Sequence, residues 1–229
     1  MAKFKKVFKQ KKVVLLTGCS GLLGTEYMKQ FATKYNIIGI SRTIPKNIPP
    51  GVKFFQGDIC NDVDEIVNYA LYEFGAIDCL INNAVHTILE PLVEMDVTNL
   101  SQQFMTNVIA PVQLANACVD KFWKNIDPSV NKKKNRAIIN VSSMSAINCY
   151  FELGQGAYSA CKSALNTLTQ HMANEFKVYG ITVNAIAPNS FPYRVPTKKV
   201  LESLDECITY IDSGQIKVVV GEEEQYWLR

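Results

Sequence analysis

Tyr158 and Lys162 lie four positions apart in the segment GAYSACKSALNTL, at the start of a helical pattern over residues 157–179. Residues at this spacing are neighbours on one helix face, so a phenol and an ammonium would meet there. A phenol has a pKa of about 10 in water, and an adjacent cation lowers that pKa because it favours the phenolate. The pair indicates a group that transfers protons at neutral pH. The alternative is a tyrosine at the edge of the core beside a lysine whose ammonium reaches solvent.

The pair continues the apolar face of its helix, which also carries Leu165, Met172 and Phe176. A lysine on a buried face is costly unless a negative group meets it. The first turns of a helix also disfavour a cation, because the positive end of the helix dipole lies there. This placement argues for a functional use of Lys162.

A glycine-rich turn follows the first strand pattern, in the segment VVLLTGCSGLLG. Gly18, Gly21 and Gly24 precede and open a helical pattern over residues 22–34. Glycines allow a sharp turn and a close approach of the backbone to a pyrophosphate, which the helix N-terminus attracts. The segment predicts dinucleotide binding, and the alternative is a merely tight turn between strand and helix.

The choice of dinucleotide is predicted at the end of the second strand, about 20 residues further on. The sequence there reads GISRT and contains no carboxylate to hold a ribose hydroxyl. Ser41 and Arg42 stand in its place, and a guanidinium can grip a 2′-phosphate. NADP(H) is therefore favoured over NAD(H), unless Arg42 is only an exposed loop charge.

Alternating strand and helix patterns must position these groups. Apolar runs predict strands over residues 13–18, 36–41, 52–57, 77–82, 137–142, 181–186 and 216–221. Helical patterns fill residues 22–34, 62–74, 98–124, 157–179 and 197–211, and residues 44–51 and 125–136 are predicted loops. We expect one α/β domain over residues 1–229, a doubly wound Rossmann fold with a seven-stranded parallel sheet.

Composition narrows the class of protein. The net charge of +3 is too small to indicate a nucleic-acid partner, and no apolar run approaches membrane-spanning length. The seven cysteines form no CxxC pair and have no nearby histidine, which predicts mostly buried, reduced thiols, no metal site and a cytoplasmic protein. The lysine-rich segment 1–12 is predicted to be a solvated basic tail.

The ordered motifs of the chain resemble those of the short-chain dehydrogenase/reductase family over nearly its whole length. They are TGCSGLLG, GDI at 57–59, NNAV at 82–85, Asn107 in MTNVIAP, NVSSMSA before YSACK, and VNAIAP at 183–188. The resemblance implies an oxidoreductase that exchanges a carbonyl for a secondary alcohol by hydride transfer.

The resemblance also implies a role for each matching residue. Tyr158 would be the acid/base, Lys162 would lower its pKa and bind the nicotinamide ribose, Ser143 would hold the substrate oxygen, and Asn107 would position a water for proton relay. The expected cofactor-binding residues are Gly18, Ser20, Gly21, Leu22, Leu23, Gly24, Ser41, Arg42, Asp58, Ile59, Asn83, Ala84, Tyr158, Lys162, Pro188 and Ser190. Structural alternatives are a turn or cap for Asp58, a polar group inside a helix for Asn107 and a strand-end turn for Ser143.

The sequence departs from the family pattern in several places. The glycine turn reads TGxxGxxG, as in the sugar-nucleotide-modifying branch, whose further substrate domain has no room in this chain. Val85 replaces the usual last glycine of its motif and is expected to narrow the site, and PNSF replaces the usual PG, which leaves contacts of Asn189 and Ser190 open. Ser145 has the family spacing to Tyr158, but alignment on the strand end favours Ser143.

The segment between the sixth and seventh strands is short, since only residues 189–213 separate them. This predicts a short or missing lid and an open cleft, suited to a bulky or carrier-linked carbonyl or alcohol. Phe151, Phe191 and Tyr193 are candidates to line that cleft, although simple packing explains them equally well.

Two other functions compete with an NADP(H)-dependent oxidoreductase. One is a non-catalytic nucleotide-binding regulatory or scaffold protein, and the other is an epimerase or dehydratase that acts on sugar nucleotides. The presence of Tyr158 and Lys162 argues against the first, and the chain length argues against the second. A homodimer or homotetramer paired through the helices at 98–124 and 157–179 is expected from the resemblance.

Overall fold

The computed structural model describes residues 11–150 and 152–221. Phe151 and residues 1–10 of the basic tail lie outside the described residues. Lys12 belongs to the fold and not to a solvated tail as predicted, because its Nζ donates to the carbonyl oxygens of Asn135 at 2.7 Å and Ile208 at 3.3 Å.

Seven parallel strands form one sheet in the order β3-β2-β1-β4-β5-β6-β7. The strands are β1 (Val13–Thr17), β2 (Asn36–Ser41), β3 (Lys53–Gln56), β4 (Cys79–Asn82), β5 (Ala137–Val141), β6 (Thr182–Pro188) and β7 (Ile216–Val219). The strand order reverses between β1 and β4, which opens a crevice at the carboxyl edge of the sheet, where such folds bind ligands. The predicted doubly wound parallel sheet is confirmed.

Helices cover both faces of the sheet. They are α1 (Leu22–Phe31), α2 (Val63–Phe74), α3 (Val97–Phe104), α4 (Ala110–Lys121), α5 (Pro128–Lys133), α6 (Gly156–Glu175) and α7 (Thr197–Cys207). No helix among the described residues is long and apolar enough to cross a membrane.

Successive side chains of each strand enter different cores, since strand side chains alternate between faces. Val14 and Leu16 of β1 pack with α1 and α7, whereas Val13 and Leu15 pack with α2, α4 and the end of α6. Burial on both faces explains the continuous apolar runs from which the strands were predicted.

Two predicted elements were wrong in detail. The helix predicted over 98–124 is interrupted by a π-helical turn, Met105–Ile109, which has no signature in apolar periodicity. The loop predicted over 125–136 contains α5, whose first turn is capped by Asp127 and opened by Pro128. This short helix has lysines in its last turn and no apolar face, so apolar periodicity could not reveal it.

Candidate active site

A cleft of about 440 Å³ lies where the strand order reverses, and we call it the glycine cleft. Its lining brings together most of the predicted cofactor-binding residues, namely Gly18, Ser20, Gly21, Leu22, Leu23, Ser41, Arg42, Asp58, Ile59, Asn83 and Ala84. Val85 lines the same cleft and is half exposed. Thr43 and Thr106 also line it, although neither was among the predicted cofactor-binding residues.

The steric surroundings differ among the three glycines of the turn. Gly18 has a φ of +68°, and a Cβ there would lie 2.7 Å from the Cα of Ala84. A Cβ at Gly24 would collide with the Gly18 carbonyl oxygen, so Gly24 lets α1 pack on the turn. Gly21 has an ordinary φ of −75°, and its Cβ would meet only the Gly18 oxygen, at 3.4 Å. The protein itself has room for a side chain at 21, so the bare backbone there leaves space for a ligand.

The amino end of α1 is chemically suited to phosphate. No side chain caps the helix at Gly21, and the N–H groups of a first helical turn have no partner within the helix. Free N–H groups and the positive end of the helix dipole attract anions. The residues present therefore fit the pyrophosphate of a dinucleotide.

Thr17 braces the turn against the end of β4, a role that the sequence analysis missed. Its Oγ1 accepts hydrogen bonds from the N–H groups of Asn83 and Ala84, both at 2.9 Å. The Asn83 side chain donates in return to the carbonyl oxygens of Thr17 and Gly18. The threonine that precedes Gly18 in the TG pair was the available sequence signal.

The two residues predicted to choose the cofactor have different surroundings. Ser41 is buried and its Oγ donates to the Thr43 carbonyl oxygen at 2.6 Å, so its hydroxyl shapes the loop after β2. Arg42 is exposed, and no carboxylate among the described residues forms an ion pair with its guanidinium. Arg42 is thus a cation at the rim of the glycine cleft that a ligand can reach.

Asp58 forms a turn and also lines the glycine cleft, and its contact with the cofactor stays a prediction. Its Oδ1 accepts from the Cys60 N–H at 3.0 Å and its Oδ2 from the Asn61 side chain at 3.3 Å, which is a turn-forming arrangement. Asp58 and the buried Ile59 also line the glycine cleft.

Tyr158, Ser143 and Lys162 meet at the carboxyl edge of the sheet, where α6 begins after β5. The Ser143 hydroxyl lies beside the Tyr158 phenol in the same cleft, close enough to lower the pKa of that phenol. The Lys162 Nζ lies 5.8 Å from the centroid of the Tyr158 ring. A hydroxyl pair with an ammonium beneath it is a proton-transfer arrangement.

Burial affects the pKa of the Tyr158 phenol more than nearby charges do. Burial raises the pKa of Tyr158, and the neighbouring Ser143 hydroxyl opposes this shift only in part. Lys162 is not among the groups that shift the Tyr158 pKa here, and its predicted effect on that pKa stays a prediction. Desolvation lowers the pKa of Lys162 itself to about 8, so its ammonium loses a proton more readily than that of an exposed lysine.

Lys162 has hydrogen-bonding capacity that the protein does not use. Its side chain is 3% exposed, and its Nζ donates to the Val141 carbonyl oxygen at 2.7 Å. An ammonium has three N–H donors, and no second acceptor bonds it among the residues that the structure describes. Unpaired buried donors are costly, so the site fits a further acceptor such as a ribose hydroxyl.

Asn107 lies in the π-helical turn between α3 and α4, a type of irregularity frequent at functional sites. Its Oδ1 accepts from the His86 N–H at 2.9 Å and its Nδ2 donates to the His86 carbonyl oxygen at 2.7 Å. The side chain thus holds the loop after β4, which continues the NNAV motif. The proton-relay role of Asn107 stays a prediction.

A second cleft, of about 480 Å³, opens over Ser143 and Tyr158, and we call it the tyrosine cleft. Phe191 lines both clefts and joins them. Pro188, Ser190 and Tyr193 line only the tyrosine cleft among the clefts described, so Ser190 lies on the side of Tyr158 and its contact with the cofactor stays a prediction.

The short segment after β6 leaves the tyrosine cleft open. Its helix, α7, buries Val200, Leu201 and Leu204 in the core beside α1 and does not cover the cleft. Residues 188–191, 193 and 194 are the part of this segment that lines it. Tyr193 is 90% exposed at its rim.

The structure distinguishes the two candidate serines by their partners. Ser143 lies close enough to Tyr158 to lower the pKa of the phenol, and its Oγ accepts from the Ser145 N–H at 3.1 Å. The Ser145 Oγ turns toward the Gln155 side chain, at 3.4 Å. Both serines line the tyrosine cleft, but the one beside the phenol is Ser143.

Comparisons with known proteins show relatives in sequence and solved structures with the same fold. The chain is 28% identical over 215 residues to a diacetyl reductase of the (S)-acetoin-forming type from Staphylococcus epidermidis, covering 89% of this chain and 78% of the relative. A short-chain dehydrogenase from Leptospira borgpetersenii, solved with bound NAD+, superposes with a TM-score of 0.78 at 19% identity, covering 93% and 92% of the two chains. ElxO, solved with NADP bound, has a TM-score of 0.78 at 22% identity, covering 92% and 97%.

The family model described as short chain dehydrogenase matches residues 12–199, which include both clefts and all of the residues placed around Tyr158. The chain therefore belongs to the short-chain dehydrogenase/reductase family of nicotinamide-dependent oxidoreductases.

Proposed function

We propose that this protein is an NADP(H)-dependent carbonyl reductase in which Tyr158 is the proton donor. The observation that carries the proposal is the placement of the Ser143 and Tyr158 side chains in one cleft, with the Lys162 Nζ 5.8 Å from the centroid of the Tyr158 ring and the glycine cleft alongside. The proposal joins these groups into one reaction, the conversion of a ketone or aldehyde into an alcohol.

Ser143, Tyr158 and Lys162 have different roles in the proposed reaction. A bound reduced nicotinamide would supply the hydride that the carbonyl carbon receives. Ser143 holds the carbonyl oxygen by a hydrogen bond, and Tyr158 transfers its proton to that oxygen as negative charge develops there. The Lys162 ammonium then faces the new phenolate and stabilises it.

The acidity of Tyr158 supports reduction over oxidation at neutral pH. Because burial raises the pKa of its phenol, Tyr158 keeps its proton and is ready to donate it. Oxidation of an alcohol needs the phenolate instead. The reverse reaction is therefore expected to require a more alkaline pH or a positive charge close to the ring.

Arg42 supports the preference for NADP(H). It is the cation at the end of β2 that lines the glycine cleft, and residues 41–43 include no carboxylate. A guanidinium beside the ribose can bind a 2′-phosphate, which NADPH carries and NADH lacks. The similar structures include one solved with NAD+ and one with NADP, so the fold accommodates both.

The environment and assembly of the protein belong to the same proposal. All seven cysteines are unpaired, which is typical of a reducing compartment such as the cytoplasm. Val97, Leu100 and Ile109 are apolar and exposed along the segment from α3 to α4, which supports pairing of two copies there. The open tyrosine cleft supports a bulky or carrier-linked carbonyl.

The experiment is a panel of carbonyl compounds offered to the purified protein with NADPH or NADH, followed by the absorbance of the reduced cofactor. We expect net oxidation of NADPH with at least one ketone, and slower oxidation of NADH. Binding of NADPH without turnover of any carbonyl would support a regulatory protein instead. Conversion of a sugar nucleotide without net oxidation would support an epimerase or dehydratase.

A further inference from the structure

A cavity of about 680 Å³ lies at the amino edge of the sheet, opposite to the edge that carries the two clefts, and we call it the amino-edge cavity. Its walls are the starts of β5 and β6, the last turns of α6, the helix α5 and the turn that precedes β7. A cavity of this volume can hold a small organic molecule. None of the residues described here lines both this cavity and either cleft, so a ligand in it would not compete with the cofactor or the substrate.

One wall of the amino-edge cavity is held in place by contacts between α5 and the turn after α6. The Asn131 side chain is fully buried, and its Nδ2 donates to the Tyr179 carbonyl oxygen at 2.8 Å. Gly180 has a φ of +72°, and a Cβ there would collide with the Pro128 carbonyl oxygen. The backbones of α5 and of this turn therefore stay together whether or not a ligand is present.

The facing wall is the turn before β7, which is bonded to the start of β6. The buried Asn184 side chain donates from its Nδ2 to the Asp212 carbonyl oxygen at 2.8 Å, and its Oδ1 accepts from the Gln215 N–H at 2.9 Å. The Gly214 N–H donates to the Val183 carbonyl oxygen at 2.8 Å. The cavity thus has two fixed walls and is part of the fold.

Positive charge dominates the lining of the amino-edge cavity. Lys132 of α5 and Lys177 of the turn after α6 both line it and are both exposed. No carboxylate in the described part of the chain forms an ion pair with either lysine. Asp212 is the one carboxylate of the lining. Two available ammonium groups against one carboxylate favour an anionic ligand.

Arg136 adds a buried donor to the same lining. The residue is 5% exposed, its Nε donates to the Asp78 Oδ1 at 3.2 Å, and its Nη1 donates to the Asn131 Oδ1. A guanidinium has five N–H donors, and the Nη2 group has no hydrogen-bond partner among the residues that the structure describes. Unused donors of a buried residue are costly, so the lining fits a ligand that brings acceptor oxygens.

The lining between these cations is aliphatic, since Ala173 and Ile181 are buried there and Ile211 is exposed at the rim. We propose that the amino-edge cavity binds a small organic phosphate monoester, a site separate from the reaction centre. A phosphate group offers three strong acceptor oxygens, which suits donors from Lys132, Arg136 and Lys177 better than the two oxygens of a carboxylate. The carbon skeleton of the ester covers the aliphatic part of the lining.

Phenyl phosphate is the probe, titrated by calorimetry into the full chain with saturating NADPH present to occupy the glycine cleft. We expect one molecule to bind per chain, with a Kd below about 1 mM. In Lys132→Gln and in Lys177→Gln the Kd is expected to rise by about three- to tenfold, because each substitution removes a charge-assisted contact. Both side chains are exposed, so neither substitution should unfold the protein. Absence of saturable binding would overturn the inference.

Lys133→Gln is the matched control, because Lys133 is the neighbouring exposed cation of α5 and does not line the cavity. This variant is expected to bind phenyl phosphate with an unchanged Kd. An equal rise in all three variants would assign the binding to the overall charge of the protein and overturn the inference. An unchanged Kd in Lys132→Gln and Lys177→Gln would place the probe elsewhere and overturn it too.

Inorganic phosphate and benzoate, titrated in the same way, test the chemical class of the ligand. Both are expected to bind at least several-fold more weakly than phenyl phosphate, because one lacks the carbon skeleton and the other lacks the third oxygen and the second charge. Equal affinity for inorganic phosphate would show that the aliphatic lining contributes nothing. Equal affinity for benzoate would show that a carboxylate suffices. Either result would overturn the assignment to a phosphate monoester.

Discussion

The glycine cleft and the tyrosine cleft lie side by side but are built from different parts of the chain. The glycine cleft is formed by backbone: the turn at Gly18 and Gly21, the start of α1 and the ends of the first strands. The tyrosine cleft is formed mainly by side chains on the two loops that follow β5 and β6. Backbone geometry serves a cofactor that many proteins share, whereas loop side chains serve the substrate of one protein. Substitutions should therefore separate cofactor binding from substrate binding.

Gly18→Ala should have the largest effect and should act on the glycine cleft. The substitution combines a φ of +68° with a Cβ only 2.7 Å from Ala84, so the turn must shift away from the cofactor. We expect the Kd for NADPH to rise by a factor on the order of one hundred, since a shift of about 1 Å can cost this much. Titration of NADPH by its fluorescence measures this.

Gly75→Ala is the control for backbone strain. Gly75 has nearly the same φ, +65°, but nothing lies within 4 Å of its Cβ position. It should lose stability by about 1 kcal/mol and bind NADPH normally. Equal loss of NADPH binding in the two variants would show that strain, and not the close approach at Gly18, is responsible.

Arg42→Ala should have the next largest effect and should act on one cofactor only. A charge-assisted contact contributes about 1.5–3 kcal/mol, so kcat/KM for NADPH is expected to fall by roughly ten- to a hundredfold while that for NADH stays within about twofold. Lys46→Ala, an exposed cation in the same loop, should change neither. A parallel fall for both cofactors would contradict the proposed 2′-phosphate contact.

Gly154→Ala should reverse the pattern of Gly18→Ala. Gly154 has a φ of +90° and packs against the Leu89 backbone, so a methyl group there should displace the loops of the tyrosine cleft. We expect KM for the ketone to rise on the order of tenfold, with no change in the Kd for NADPH. Gly51→Ala, with a φ of +86° in open space, should leave both constants unchanged. Weaker NADPH binding in Gly154→Ala would show that the two clefts are not separable.

The smallest expected effect is a dependence of NADPH binding on pH. Burial lowers the pKa of Lys162 to about 8, and an anionic cofactor binds the protonated form better. The Kd for NADPH should therefore rise severalfold as pH increases through about 8, because the ammonium is lost. Lys162→Met should bind more weakly at pH 7 and should lack this step. Persistence of the step in the variant would assign it to another group.

Most of the scaffold followed from the sequence because buried strands have a strong pattern. The apolar runs of β1 and β5, covered on both faces, could be read directly, and the glycine turn after β1 indicated the crevice. The π-helical turn at Asn107 and the short helix α5 have no such pattern, since their geometry depends on contacts with other segments.

The site was only partly predictable for the same reason. Tyr158, Ser143 and Lys162 could be identified from spacing, but their pKa values depend on how deeply the fold buries them, which spacing does not show. Tyr150 and Gln155 line the tyrosine cleft but belong to no motif. Loop side chains become neighbours only through the packing of distant segments.

Tyr158→Phe tests the central claim most directly, because it removes the donor hydroxyl and keeps the ring in place. We expect kcat for ketone reduction to fall by about a hundredfold or more, while the Kd for NADPH, measured on the same preparation, stays within about twofold. Turnover within a few-fold of the unaltered protein would contradict Tyr158 as the proton donor.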